Sequence, residues 1–397
     1  MEQETSWSQL LYKNKIPIAL FIIALAVRLI TLLSYPLDHC GWYDDSYHRW
    51  QIALYSLKIG FSQGRLWDLS GMEYFWGILP IITESFILWV LNTVSIIPFR
   101  VFNLLIGSLN VVIIYSLIKK YFQVYALPVS ILVAFCPVVI FVDISGMAEP
   151  LAFLFLFSSL LFYNKRDYLF GLLLGLSSMC RIEFWVISWG LIGCYLVFER
   201  SATKFLPALM GWLTPMFPYF WFLWTRTGDP IYPFTWYFLG DIMGQWMGPG
   251  TSQPLLPLWK NIFIAIFISS ATGLIYLIKK KPQNYIFYAF ILGILLLHGI
   301  GFGISAYPRG FRPTYFFDRL IELEYIFIAM FPSIAITWIR KKFNPRIHLM
   351  LLLASLIIIS SLYVPVLQYT IYEHSQGNNA ISTDFDTAIQ VSAYYRD

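Results

Sequence analysis

Charge is what this sequence has least of. Lys, Arg, Asp and Glu together make up 12% of its 397 residues, about half the ~25% usual in a soluble domain. That leaves too little polar surface to solvate a globular exterior of this size, so an ordinary soluble protein is excluded. The small basic excess, a formal net charge of +5, falls in short clusters between apolar runs and forms no continuous patch. A nucleic-acid partner is therefore not implied. Cysteine is also scarce: Cys40, Cys136, Cys180 and Cys194 are scattered, three of them inside apolar runs, with the spacing of neither a disulfide framework nor a metal site. Internal repeats and low-complexity tracts are missing too, which weighs against a transporter assembled from inverted repeats.

What the chain does have is apolar residue, 58% of it, in uncharged runs of ~20 residues, the length of a membrane-crossing helix. The first run, about 16–34, is too long for a signal-peptide core and has no convincing cleavage site, so it reads as a retained anchor. Further spans are expected at about 101–118, 124–142, 147–163, 168–180, 184–198, 205–224, 261–278, 285–304, 322–339 and 347–366. The fold class is thus an all-α polytopic membrane protein of about 11 transmembrane helices. It has one transmembrane domain over 1–366 and a short polar tail over 367–397. Lys13 and Lys15 place the N-terminus inside and the C-terminus outside. The spans 168–180 and 184–198 are short and should form a hairpin bent at Arg181-Ile182-Glu183, whose charges require protein or a wet cavity around them. Gly171 and Gly175 would let another helix approach closely there.

Between the first two spans lies an outer loop, 35–100, opening with WYDDSYHRWQIALYSLKIG. Tyr47, Trp50, Leu54 and Leu57 recur at helical spacing, with His48, Arg49, Gln51 and Lys58 on the other faces. This predicts an amphipathic helix along the membrane surface, capped by Asp44 or Asp45 and stopped by Gly60 and Gly64. The segment 76–97 is apolar and long enough to cross, yet contains Pro80, Glu84 and Asn92. If it crossed, Lys119–Lys120, Lys165–Arg166 and Lys279–Lys281 would all fall outside. If it lies half-embedded on the outer surface, all fall inside, and the positive-inside rule favours that arrangement.

With 76–97 uncrossed, Asp44 and Asp45 share the outer side with Asp143 and Glu149 of the turn DISGMAEP. Glu149 precedes Pro150, at the positive end of a helix, where a carboxylate stays ionised and can stabilise charge or take a proton from a positioned hydroxyl. Each of these acids could equally serve as a helix cap. Arg309, Arg312 and Arg319, in YPRGFRPTYFFDR, lie at the same boundary among aromatics, where a guanidinium can hold a phosphate by paired N–H donors. Arg28, inside the first span, either snorkels to the interface or meets a partner.

These segments, in this order, resemble the integral-membrane C-fold (GT-C) glycosyltransferases, among them the protein O-mannosyltransferases and aminoarabinose lipid A transferases. The acid pair with its amphipathic helix is similar to their first outer loop, and MAEPLAFLFLF to their second acidic motif. GLLLGLSSMCRIEFW is similar to their Gly-Leu hairpin, and RTGDPIYPF to a Gly-Asn-Pro-Leu-Tyr loop. The likeness covers roughly 16–340. It departs where Asp45 stands for a common Glu, and where GMEYFWG replaces a segment bearing a phosphate-binding lysine.

The resemblance implies inverting transfer of a sugar, such as mannose or another hexose, from a polyprenyl- or dolichyl-phosphate carrier to a lipid, glycan or protein acceptor. The site would face outward across a prokaryotic plasma membrane, or the lumen of the endoplasmic reticulum in a eukaryote. By position, Asp44 would take or orient the acceptor's proton, with Asp45 and Glu149 assisting. Arg319, with Arg28 or Arg181, would neutralise the departing phosphate, and His48, Glu73, Tyr74 and Trp76 would line the site. No cofactor is required, although Asp44, Asp45 and Glu149 would be the ligands if Mg²⁺ or Mn²⁺ took part. The competing readings are a transporter or lipid flippase with an outer headgroup or ion site, and a non-catalytic subunit of a membrane complex.

Overall fold

The computed structural model describes residues 15–34, 44–59, 74, 76–121, 126–237 and 350, all helix or the turns between helices, with no strand among them. The expected spans from 261 onward, Glu73, Arg319 and the polar tail lie outside the described residues, as do the side chains of Asp44 and Asp45. The helices are α1 (Lys15–Ser34), α2 (Asp44–Ile59), α3 (Ile78–Val90), α4 (Ile97–Tyr121), α5 (Ala126–Phe135), α6 (Pro137–Ser145), α7 (Glu149–Phe162), α8 (Asp167–Ser178), α9 (Glu183–Val197), α10 (Ala202–Thr227) and α11 (Tyr232–Tyr237). Among the described residues, α1 and α4 are long and apolar enough to cross a membrane, and α5 with α6 would make a third such span if taken as one.

The expected span 124–142 is broken. Its halves, α5 and α6, differ in direction by 54°, and the cause is local. Pro137 has no N–H to donate and disfavours helical backbone at the residue before it. Cys136 is accordingly extended, with φ −66° and ψ 117°. The break carries α6 on to Ser145, so Asp143 sits inside a helix and not in the turn where the sequence pattern puts it. Gly146, at φ 85°, then ends α6 in the left-handed conformation that glycine adopts at least cost.

In the segment 76–97, α3 has 13 residues, a length of about 20 Å against ~30 Å of hydrocarbon. It ends at Asn92, whose φ is +46°. Its start is bound to the α8–α9 turn: the Leu79 N–H donates to the Met179 carbonyl at 3.1 Å. On its other side it packs against α2, where Ser85 Oγ donates to the Ala53 carbonyl at 3.1 Å. With α7, α8 and α9 it is one of the shorter apolar helices, of 10–17 residues, among those described.

The main bundle packs α4 against α1, α5, α6 and α7, then α7 on α8, and α8 on α9 and α10. Its densest seam joins α8 and α10. A Cβ on Gly171 would lie 1.8 Å from the Ala208 carbonyl oxygen, and one on Gly211 2.1 Å from that of Tyr168. Two backbones in contact there leave no volume for a side chain. Ser178 then ties three helices together: its carbonyl accepts from Trp185 Nε1 at 2.8 Å, and its hydroxyl accepts from Trp212 Nε1 at 3.0 Å. A separate, smaller apolar cluster, including Tyr47, Trp50, Leu54, Trp76, Ile81 and Leu88, joins α2 to α3.

The two ends of the bundle differ in charge. At one, Lys120 Nζ donates to the Leu161 carbonyl at 2.9 Å, and Lys204 Nζ reaches Asn164 Oδ1 and Glu199 Oε2, both at 2.8 Å. Lys119, Lys165, Arg166 and Arg200 adjoin these contacts in the chain. The turns 146–148 and 179–182 and the start of α3 lie at the other end.

Two outcomes follow from this packing. Gly171→Ala and Gly211→Ala should each lower the thermal midpoint in detergent by the equivalent of roughly 1–3 kcal/mol or more, through overpacking. Gly190→Ala, which would meet nothing within 4 Å, should be neutral or gain about 0.5–1 kcal/mol from reduced backbone freedom. Secondly, a cysteine at the exposed Asn92 should react with an impermeant thiol reagent on intact cells, and one at the exposed Lys165 only after permeabilisation. Equal reaction at both positions from outside would overturn the expectation that 76–97 does not cross.

Candidate functional site

A charged side chain inside an apolar bundle is stable only when another charge and hydrogen bonds compensate it. Among the described residues the buried charges are Arg28, Arg49, Arg100 and Arg181 against Glu84, Asp143, Glu149 and Glu183, equal numbers of each sign. No Lys is among them.

Arg28 on α1 meets Asp143 on α6, Nε to Oδ2 at 2.7 Å, with both side chains wholly buried. Its Nη1 also donates to the carbonyls of Ala24 at 3.2 Å and Ala134 at 3.3 Å. Arg28 therefore does not snorkel; it has a partner 115 positions away in the chain. Room for the carboxyl comes from α4, because a Cβ on Gly107 would stand within 2.4 Å of both Asp143 oxygens. Asn103 and Asn110, on the same face of α4, donate their amide N–H groups to the Met147 and Pro150 carbonyls. That stripe fixes the turn leading into α7.

Glu149 begins α7 without making a side-chain cap. It pairs instead with Arg181 Nη1, and Arg181 reaches Glu183 through Nη2 at 2.6 Å and Nε at 3.1 Å. The hairpin bend is thus held by one guanidinium between two carboxylates, buried in protein as the cost of those charges demands.

The polar face assigned to α2 is not turned to water. Arg49 and Gln51 are as buried as Tyr47 and Trp50, while Leu57, expected in the buried stripe, is exposed. Arg49 reaches across to the turn, Nη2 to Met147 Sδ at 3.1 Å, with its guanidinium carbon 6.0 Å from the centre of the Trp76 ring. The helix is therefore docked on its charged side and is not a free surface helix. Because Arg49 follows Asp44 on the same helix by little more than one turn, the start of α2 stands at the same end of the bundle as Glu149.

Of the aromatic residues expected to line a site, His48 stacks on Trp76 with centroids 5.8 Å apart, and Tyr74 meets Tyr232 edge-on at 6.2 Å. Tyr232 in turn stacks on Trp236 at 5.8 Å. Together they make an aromatic wall from α2 to α11. Residues not singled out as site candidates from sequence are Glu84, Arg100, Asn103 and Asn110. The available signal was a charge or amide interrupting an apolar run.

No family model matches this chain, and neither a curated protein nor a solved structure is significantly similar to it.

Removing one member of a buried ion pair strands the other, at a cost of about 3–5 kcal/mol. Arg28→Met should therefore destabilise the protein strongly in a detergent melt. Arg28→Met combined with Asp143→Asn should recover much of the loss, giving a coupling energy of roughly 1–3 kcal/mol in the double-mutant cycle. Additive losses would mean that the two side chains do not act as a pair.

Proposed function

We propose that this chain is a multi-pass membrane glycosyltransferase of the C-fold type. It moves a hexose, with inversion, from a polyprenyl- or dolichyl-phosphate carrier to an acceptor at the outer face. The observation that carries the reading is the docking of α2 through Arg49 onto the Met147 turn, which gathers the Asp44-Asp45 segment, Glu149 and the aromatic wall at the end opposite the lysine clusters. Such a transfer needs a carboxylate to receive the acceptor hydroxyl's proton, a phosphate site and flat apolar faces for a sugar ring, all on one side of the membrane.

In this reading Asp44 takes the acceptor's proton as the hydroxyl attacks the anomeric carbon, and Asp45 orients the acceptor. Glu149 and Arg181, joined to each other, hold the turn in place, and Arg28, joined to Asp143, anchors α1 to α6. Their charges are already compensated, so of the three arginines that the resemblance gives to the leaving phosphate, Arg319 is left as its expected partner. The phosphate is a good leaving group, so alignment and charge stabilisation are sufficient catalysis. Asp44, Asp45 and Glu149 would be the residues to hold a divalent cation; among the described residues no cluster of metal-ligating side chains is formed. A site facing outward from a plasma membrane, or into the lumen in a eukaryote, follows from the same topology.

The rival transporter reading draws on the Arg28–Asp143 pair, an ionisable couple deep among α1, α4 and α6. One assay separates the two: purified protein with labelled polyprenyl-phosphate sugars, scored for transfer or hydrolysis and, in vesicles, for movement without chemistry. Asp44→Asn keeps size and capping ability, so expression should match wild type while transfer falls by roughly 10²–10⁴-fold. Wild-type transfer by Asp44→Asn would remove that residue from the mechanism.

A further inference from the structure

Glu84 is the one buried carboxyl above to which no ion pair has been given. It lies on the inner face of α3, wholly buried, and neither carboxyl oxygen has a hydrogen-bond partner. Its neighbour Ser85 bonds to Ala53, one helical turn beyond Arg49, which brings that turn of α3 over Arg49. The charges acting on Glu84 are Arg49 from α2 and Arg100 from α4. Both guanidinium-bearing side chains converge on one turn: Arg49 touches Met147, and Arg100 Cγ is 3.5 Å from where a Cβ of Gly146 would be.

This cluster sits on a boundary. Arg49 and Glu84 belong to the helices of the small α2–α3 apolar cluster, whereas Met147 belongs to the core of the main bundle. The α2–α3 pair is therefore docked on the bundle through charge as well as apolar contact.

The geometry points to an oxyanion site in this seam, in which Arg49 and Arg100 take a phosphate-type group and Glu84, displaced as their counter-charge, takes up a proton. No bond to the ligand is made or broken; one proton moves from solvent to the carboxyl. Phosphate chemistry is indicated by two guanidinium groups on separate helices, which can bond tetrahedral oxygens from different sides. The lipid-linked form of the ligand rests on the transferase reading, while the site itself does not.

Burial raises the Glu84 carboxyl well above the usual carboxylate range, and Arg49 and Arg100 pull it back only in part. A bound oxyanion adds a like charge and raises it further. Within the described side chains, α2 carries Tyr47, stacked on Trp50, and His48, stacked on Trp76. α4 carries Tyr115, Lys119 and Lys120 towards its far end, and the α8–α9 turn carries Cys180, Arg181 and Glu183. Asp44, Asp45, Tyr55 and Lys58 of α2 lie outside the described side chains. The sign follows: ligand binds best where Glu84 is protonated, and its affinity falls as pH rises through the carboxyl's range. Glu84→Gln mimics the protonated form at every pH.

The test is calorimetric titration of the full chain in phosphatidylcholine nanodiscs, with inorganic phosphate and with farnesyl phosphate as separate probes. Each is measured in two buffers of different ionisation enthalpy, and wild type is compared with Glu84→Gln at each pH so that ligand ionisation cancels. Where Glu84 is ionised before binding and protonated after it, wild type should take up close to one proton more than Glu84→Gln; at the acid end the two should match. The variant should bind about tenfold or more tightly than wild type at the alkaline end and equally at the acid end, about tenfold for each pH unit of carboxyl shift. Arg100→Gln should lose binding at every pH. Saturation by inorganic phosphate marks a free-phosphate site, and saturation by farnesyl phosphate alone marks a lipid-linked one.

Equal proton uptake in wild type and Glu84→Gln at every pH, or no saturable binding of either probe to folded wild type, overturns the proposal. Linked binding without sugar transfer would sink the transferase reading and leave this site standing. Transfer without linked proton uptake would do the reverse.

Discussion

Arg181 is the hinge on which the end of the bundle opposite the lysine clusters depends. Its guanidinium joins Glu149, at the start of α7, to Glu183, at the start of α9, and so fixes where two helices begin. The same turn receives the first residues of α3 through the Met179 carbonyl, and Cys180 beside it feels both Glu149 and Arg49. Desolvating three charges is costly, several kcal/mol apiece even after relaxation. The arrangement survives because each charge meets an opposite one with directional hydrogen bonds. A bend that would be unfavourable in lipid becomes the joint between α7, α8, α9 and, through α3, the outer helices.

The balance of signs extends that constraint to the whole described interior. Four buried arginines face four buried carboxylates, and no lysine joins them. Lys119, Lys120, Lys165 and Lys204 lie instead at one end of the bundle, with Arg166 and Arg200, and Lys204 keeps part of its surface in solvent. Arginine suits the interior because its fork makes several bonds at once and its charge cannot be shed by deprotonation. Lysine suits the basic end, where water and headgroups solvate a point charge. The concentration of exposed basic residues at that end gives the bundle a direction even with no membrane present.

Periodicity and length made the helices legible from sequence: expected spans at 101–118, 147–163, 168–180, 184–198 and 205–224 each correspond to one helix, with ends shifted by a few residues. The hairpin at Arg181–Glu183 and the close approach at Gly171 were also readable, because a charge pair and two small residues leave local marks. The break at Pro137 carried its own signal, a proline inside an apolar run, that hydropathy outweighs. The pairing of Arg28 with Asp143 left no local mark at all. Two residues more than a hundred positions apart show their contact only when α1 and α6 are packed.

The face of α2 shows where the reading from pattern fails for a physical reason. Amphipathic assignment treats a charged face as a wet face, and for a helix resting on one apolar surface that is sound. Arg49 breaks the rule because its side is covered by Trp76 and the Met147 turn, each of which offers a cation something other than water: a π face and a polarisable sulfur. Once α2 is held on both sides, its position is set by a charged contact and an apolar one together. That helix opens with Asp44 and Asp45, so under the transferase proposal the acids given to the acceptor ride on the element that the Arg49 contact holds.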